Sequence, residues 1–180
     1  RLNEMDASGE TPLLVALESR CIGLFGIRDT PRSQSAAALD ELNALDINNI
    51  AMLTGDRRSA AVSVAENIPA ITSVHAEMLP ADKARWVEDR QREGRRVAMV
   101  GDGVNDAPAL AKASVGMALG NVGSELAAEA GDLILMGSPL KSLPGLVRLS
   151  RALVRNIRQS ILFFAFGMNA VGMLLCASGV

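Results

Sequence analysis

The feature that most constrains this chain is its last stretch. Ile161 to Val180, ILFFAFGMNAVGMLLCASGV, contains no charged residue, and with Gln159 and Ser160 the uncharged run reaches 22 residues. About 20 helical residues cross a hydrocarbon core of about 30 Å. A buried core helix is the alternative. Such helices normally keep a polar face, and this segment is apolar nearly all round. Immediately before it stand Lys141, Arg148, Arg151, Arg155 and Arg158 with no acid among them, a pattern that suits cytoplasmic flanking charge. We therefore expect a membrane helix over 159–180 preceded by a basic linker helix over 139–158. Residue 180 reads as a cut inside, or at the end of, that helix, which implies a longer parent protein.

The charges are segregated along the chain. Residues 1–140 hold 20 acids against 13 bases, while residues 141–160 hold five bases only. An acidic body with a basic collar is not the surface of a nucleic-acid binder, and an aromatic content of 3% without Tyr offers no base-stacking platform. Two distant cysteines, Cys21 and Cys176, exclude a disulfide scaffold or a multi-cysteine zinc site. A 49% hydrophobic and 21% charged composition excludes general disorder.

Upstream of the collar, short apolar runs alternate with helical patterns. Leu13–Ser19 and Cys21–Ile27 read as two paired strands. Pro31 opens a helix to about Leu45, and Asn49–Leu53 is a strand ending at Thr54-Gly55-Asp56. A helix over Ser59–Asn67 and a weak strand over Ser73–Ala76 follow. Pro80 starts a helix that Gly94 stops. Arg96–Val100 is a strand ending at Gly101-Asp102-Gly103. Then come a helix over Ala107–Lys112, a strand over Ser114–Met117, a helix over Glu125–Ala130 and a strand over Leu133–Leu135. Pro139 and Pro144 read as a linker, with a long helix from about Gly145. The alternation predicts an α/β fold: a mostly parallel, Rossmann-like sheet with helices on both faces, followed by a transmembrane helix.

In such a sheet, ligands sit at the carboxyl ends of the strands, and three polar clusters fall there. Thr54-Gly55-Asp56 offers a hydroxyl and turn N–H groups for a phosphoryl oxygen, or simply an Asp56 helix cap. Lys83 lies in a first helical turn, where it opposes the helix dipole unless an anion is beside it; a solvated lysine is the bland alternative. Gly101-Asp102-Gly103-Val104-Asn105-Asp106 brings two carboxylates, hard ligands of the kind Mg²⁺ takes, although a capped tight turn would use the same residues. Together the three clusters describe a phosphoryl-transfer site. A nucleophile is missing from it, and Asp29 is the nearest candidate.

GDGVNDAPAL (101–110), with MLTGD (52–56), AEMLPADK (76–83) and RDTPR (28–32), resembles the phosphorylation domain of P-type ATPases, ion pumps of the haloacid-dehalogenase-like superfamily. The resemblance covers roughly residues 11–180, and the compact spacing is similar to the heavy-metal-transporting branch. It implies a division into residues 1–10, the end of a nucleotide-binding domain or hinge, and 11–138, the C-terminal part of the phosphorylation domain. It implies ATP and Mg²⁺ as cofactors, with Asp102 and Asp106 serving Mg²⁺ and Lys83 and Thr54 contacting the transferred phosphoryl group. Gly55 would offer its N–H, Asn105 would meet the phosphoryl group or its metal, and Asp29 and Asp56 would line the nucleotide side. The family's phosphorylated Asp, in a DKTGT motif, is absent from this sequence, as is the strand it ends.

The transported cation would be a heavy or transition metal, moved across a lipid bilayer by a multi-pass protein whose phosphorylation domain is cytoplasmic. Copper-transporting members carry a Tyr-Asn pair in this membrane helix. Met168-Asn169 stands at the matching place, so Asn169 carries over, while Met168, Met173 and Cys176 are soft donors or ordinary apolar filler. Two rival readings stay open. One is a soluble haloacid-dehalogenase-like phosphatase, and the other is a non-catalytic truncated membrane protein.

Overall fold

The computed structural model describes residues 11–27, 33–101, 105–120, 130–136 and 139–179. The expected Glu125–Ala130 helix lies outside these apart from its last residue, as does the Pro31 helix start. The chain divides into two compact units, residues 1–142 and residues 143–180.

The first unit opens with an antiparallel hairpin, β1 (Thr11–Leu17) and β2 (Arg20–Ile27). Its turn residues Glu18 and Ser19 both have positive φ, 48° and 74°. Two consecutive positive φ values mark the turn whose twist matches that of paired strands. A register shift between Val15 and Ala16 puts a bulge in β1. The hairpin pairs with no other described strand, and Leu13, Leu14, Leu17, Ile22, Phe25 and Ile27 are all exposed.

The remaining strands are parallel, but they fall in two pieces. Helix α1 (Ser33–Asn43) leads to β3 (Ala51–Leu53), which pairs with β4 (Ser73–His75) through helix α2 (Arg58–Glu66). Helix α3 (Pro80–Arg92) leads to β5 (Ala98–Gly101), α4 (Ala107–Lys112), β6 (Val115–Gly120) and β7 (Leu133–Met136), ordered β5-β6-β7. The alternation of short strands and helices predicted a single sheet. Among the described residues no strand hydrogen-bonds to both β3 and β5, so each keeps an unpaired edge. Side chains join the pieces instead. Val87, Met99, Ala109, Leu110 and Ala118 form the buried core, and Leu53 at the end of β3 packs against it. Gly116 makes this core tight, because a Cβ there would lie 2.6 Å from the Leu110 carbonyl oxygen. The Gly116 N–H donates to the Asp132 carboxylate at 2.8 Å, which ties β6 to the turn before β7.

The second unit is helical. Helix α5 spans Pro139–Ser160, beginning in the first unit; a π-helical segment follows over Ile161–Gly167 and helix α6 over Met168–Ala177. The expected linker between Pro139 and Pro144 is therefore helix. Pro139 occupies the first helical position, where its missing N–H would have had no partner. Pro144 does remove an intrahelical bond, yet the helix runs through it, and Leu143 and Pro144 are both buried. From Leu149 onward nearly every large apolar side chain is exposed, including Phe163, Phe164, Met173 and Leu174 at 70% or more. The helix over Leu140–Ala177 is long and apolar enough to cross a membrane.

Candidate functional site

The site grows from the loops after β3, β4 and β5. Each strand is short, three or four residues, and its loop follows at the carboxyl end. The loop after β3 is fastened to the loop after β4 by three backbone bonds. The Thr54 N–H donates to the His75 carbonyl at 2.9 Å, the Met78 N–H to the Thr54 carbonyl at 3.0 Å, and the Glu77 N–H to the Asp56 carbonyl at 2.9 Å. Gly55 sits beneath this crossing, where a Cβ would lie 3.4 Å from the Met78 carbonyl oxygen.

Within that loop the Thr54 hydroxyl donates to an Asp56 carboxylate oxygen at 2.8 Å, and the Asp56 N–H approaches the same hydroxyl at 3.1 Å. The alternative in which Asp56 caps the following helix is overturned: the N-cap is Arg57, without a side-chain bond. The physical reason is competition, since the Thr54 hydroxyl takes the carboxylate first, as short polar side chains do in turns.

Lys83 is buried, with 8% of its surface exposed, so the solvated alternative is also overturned. Its ammonium meets the Asp106 carboxylate at 2.7 Å, both side chains being nearly covered. Helix α3 supplies the lysine from its first turn, beside Asp82, whose carboxylate accepts the Leu79 N–H at 3.2 Å. Two acidic groups thus offset the unfavourable dipole at that end. Gly101 leaves room for Asp106, because a Cβ at Gly101 would meet its carboxylate at 2.5 Å. On the same helix as Lys83, Trp86 meets His75, with ring centroids 5.2 Å apart, and the Arg90 guanidinium at 5.6 Å. His75 is therefore a packing residue in this structure.

Farther along α3, Lys112 reaches Glu88 at 2.9 Å and Arg92 reaches it at 3.3 Å. The Lys112 hydrogen bond and charge hold the Glu88 carboxyl below the usual carboxylate range. This network joins α3 to α4 and stands apart from the loops.

Of the residues singled out in the sequence, Lys83 and Asp106 are brought into contact. Thr54, Gly55 and Asp56 are brought together in one loop, and Asn105, exposed, sits beside Asp106. Asp29 and Asp102 lie outside the described residues. Asn169 is on α6, in the second unit. The roles of Gly101 in seating Asp106 and of Trp86 in packing against His75 and the core had no sequence signal beyond their nearness to the motif. Among the described residues no three His, Cys, Asp or Glu side chains converge on one point. Among the described residues the Asp106 carboxylate, held by Lys83, is a hard oxygen donor, which suits an ion that takes one or two carboxylates and completes its shell with phosphate and water.

Residues 2–114 match the family of haloacid dehalogenase-like hydrolases, and the chain belongs to that family. Its relatives are more particular. It is 40% identical over 180 residues to a copper-exporting P-type ATPase of Staphylococcus epidermidis, covering 100% of this chain and 22% of that protein. A copper-exporting P-type ATPase of Staphylococcus aureus is 40% identical over 179 residues, with 99% and 22% covered. Among solved structures, a zinc-transporting PIB-type ATPase in the E2.Pi state superposes with a TM-score of 0.83 at 35% identity. It covers 99% of this chain and 28% of its own. The catalytic domain of the CPx-ATPase CopB-B gives a TM-score of 0.63 at 33% identity, with 74% and 52% covered. The chain thus spans about a fifth of the length of the curated relatives it matches.

Proposed function

We propose that this chain is the second half of the phosphorylation domain and the next membrane helix of an ATP-driven heavy-metal pump. The observation that carries the reading is the buried Lys83–Asp106 pair at the mouth of parallel strands. A lysine and a carboxylate held at 2.7 Å in a nearly dry setting are charges prepositioned for a dianionic phosphoryl group and its metal. Phosphoryl transfer relies on positioning and charge stabilisation of that kind. The unpaired edges of β3 and β5 leave a place for one more parallel strand. In this reading that place takes the strand ending in the phosphorylated aspartate, supplied by a segment outside this chain.

Each residue then has a task. Lys83 neutralises a phosphoryl oxygen and, between turnovers, keeps Asp106 oriented. Asp106, with Asp102, would hold Mg²⁺, which supplies charge neutralisation on the transferring group. Thr54 gives up its bond to Asp56 to donate to a phosphoryl oxygen, and Gly55 offers its N–H. Asn105 is placed to meet the same group. Asp29 and Asp56 face the nucleotide, which is ATP. Asn169 belongs to the path of the transported cation, a soft or transition metal. The phosphorylation domain faces the cytoplasm.

The test is complementation. Co-expression with a separate chain carrying a DKTGT segment and a nucleotide-binding domain is expected to restore Mg²⁺-dependent, acid-stable phosphorylation. That activity is expected to disappear when Asp106 is changed to Asn. Steady ATP hydrolysis by residues 1–180 alone, lost on changing Asp102, would instead show a nucleophile within this chain.

A further inference from the structure

We infer that the arginine face of helix α5 is a binding surface for anionic lipid headgroups, with Arg158 and Arg155 as its main ligands. The inference rests on the membrane reading of residues 159–180. Arg148, Arg151, Arg155 and Arg158 follow one another at intervals of three and four, which places them on one helix face. All four are exposed. Asp132 is the last acidic residue of the chain, so neither α5 nor α6 offers an acidic side chain to Arg155 or Arg158.

The opposite side of the helix carries Leu149, Leu153 and Ile157, each more than half exposed. An apolar stripe on a helix outside the hydrocarbon needs cover from protein. Covering it turns the guanidinium groups away from that protein. What they then meet depends on height. Arg158 precedes Ile161 by three residues, about 4.5 Å of rise, and Arg155 by about 9 Å. The headgroup layer on each side of a bilayer is roughly 5–8 Å deep. Arg158 falls within it and Arg155 at its outer edge, within reach of a long side chain. Arg151 and Arg148, about 15 and 20 Å out, lie a Debye length or more from the lipid charge at physiological salt.

A planar guanidinium pairs with phosphate in bidentate fashion, and each basic residue near an anionic surface is worth about fivefold in affinity. The surface therefore prefers anionic over zwitterionic lipid, and the preference is graded along the helix.

The experiment places the full chain in phosphatidylcholine vesicles holding spin-labelled phosphatidylglycerol or phosphatidylcholine. It compares the motionally restricted fraction of each label. We expect a several-fold preference for phosphatidylglycerol, removed by Arg155→Gln with Arg158→Gln and kept by Arg148→Gln. Equal restriction of the two labels in a chain that has inserted overturns the inference. So does a preference that survives the double change, or one that tens of millimolar inorganic phosphate abolishes, since the site would then take free phosphate. A chain that does not enter the vesicles overturns the membrane reading beneath it, an outcome that protease protection reads separately.

Discussion

The two units obey opposite rules for the same kind of side chain. In the first, Leu110 and Val87 are sealed at 1% and 0% exposure beneath the candidate site. In the second, Leu174 and Phe164 stand at 70% and 75% on a continuous helix. The first unit buries apolar surface against itself, so its stability travels with the polypeptide. The second has too little partner surface for that, and its apolar side chains are matched only by a solvent that is itself apolar. The difference teaches that burial in this chain is a property of the surroundings as well as of the sequence, and that the charges follow suit. Lys83 and Asp106 at the candidate site are covered as a pair, whereas the arginines of α5 are exposed along one face.

The sharpest way to break this contrast is removal of the second unit. A chain ending at Gly145, which keeps the buried Leu143 and Pro144, is expected to stay in solution, while the full chain needs detergent. Sedimentation in plain buffer checks it, and a monodisperse full-length chain would erase the distinction. Next in size is the site. In the full-length pump proposed above, Asp106→Asn is expected to lower phosphoenzyme formation by about 10²–10³-fold, read by acid-stable labelling with ATP. Lys83→Ala strands the Asp106 carboxylate and is expected to cost about 3–5 kcal/mol in urea unfolding. Equal stability would mean the pair is dispensable.

Core packing comes third. Leu110→Ala is expected to cost about 2–5 kcal/mol, while Leu174→Ala leaves the urea midpoint of the first unit where it was. A matching loss for Leu174 would show that the second unit's apolar face is covered after all. The smallest effect concerns Glu88. Its carboxyl is held below the ordinary value by Lys112. A depressed folded value means stability that is present above the unfolded value and lost as the pH falls through the folded one. Glu88→Gln is therefore expected to flatten the acid limb of a stability–pH curve below pH 4.5, and salt is expected to mimic it because the pair is solvent-exposed.

Strand and helix identities were legible where the local signal and the tertiary outcome agree. The Ala107–Lys112 helix matches the sequence reading residue for residue. The hairpin could be placed, but its turn could not be typed, because Glu-Ser is not a pair that announces positive φ. Pro139 and Pro144 misled for a plain reason. A proline early in a helix costs little, and sequence alone does not reveal that Pro144 is packed. At the site, residue types announced the chemistry, yet the direct Lys83–Asp106 contact joins positions 23 apart and depends on how α3 lies against β5. The division of the parallel strands into two pieces was equally hidden, since no local pattern reports which edges go unpaired.

The π-helical segment over Ile161–Gly167 has a rotational consequence. Along an unbroken α-helix Asn169 would come eleven residues after Arg158, about three full turns, and would share its azimuth. A π-helix packs more residues into each turn, so every residue sweeps a smaller angle, and over seven residues the lag amounts to roughly a quarter of a turn. The amide of Asn169 is thereby taken out of line with the guanidinium groups. The rod is indexed like two gears keyed at different angles on one shaft: its basic end presents arginine in one direction while its apolar end presents asparagine a quarter-turn away.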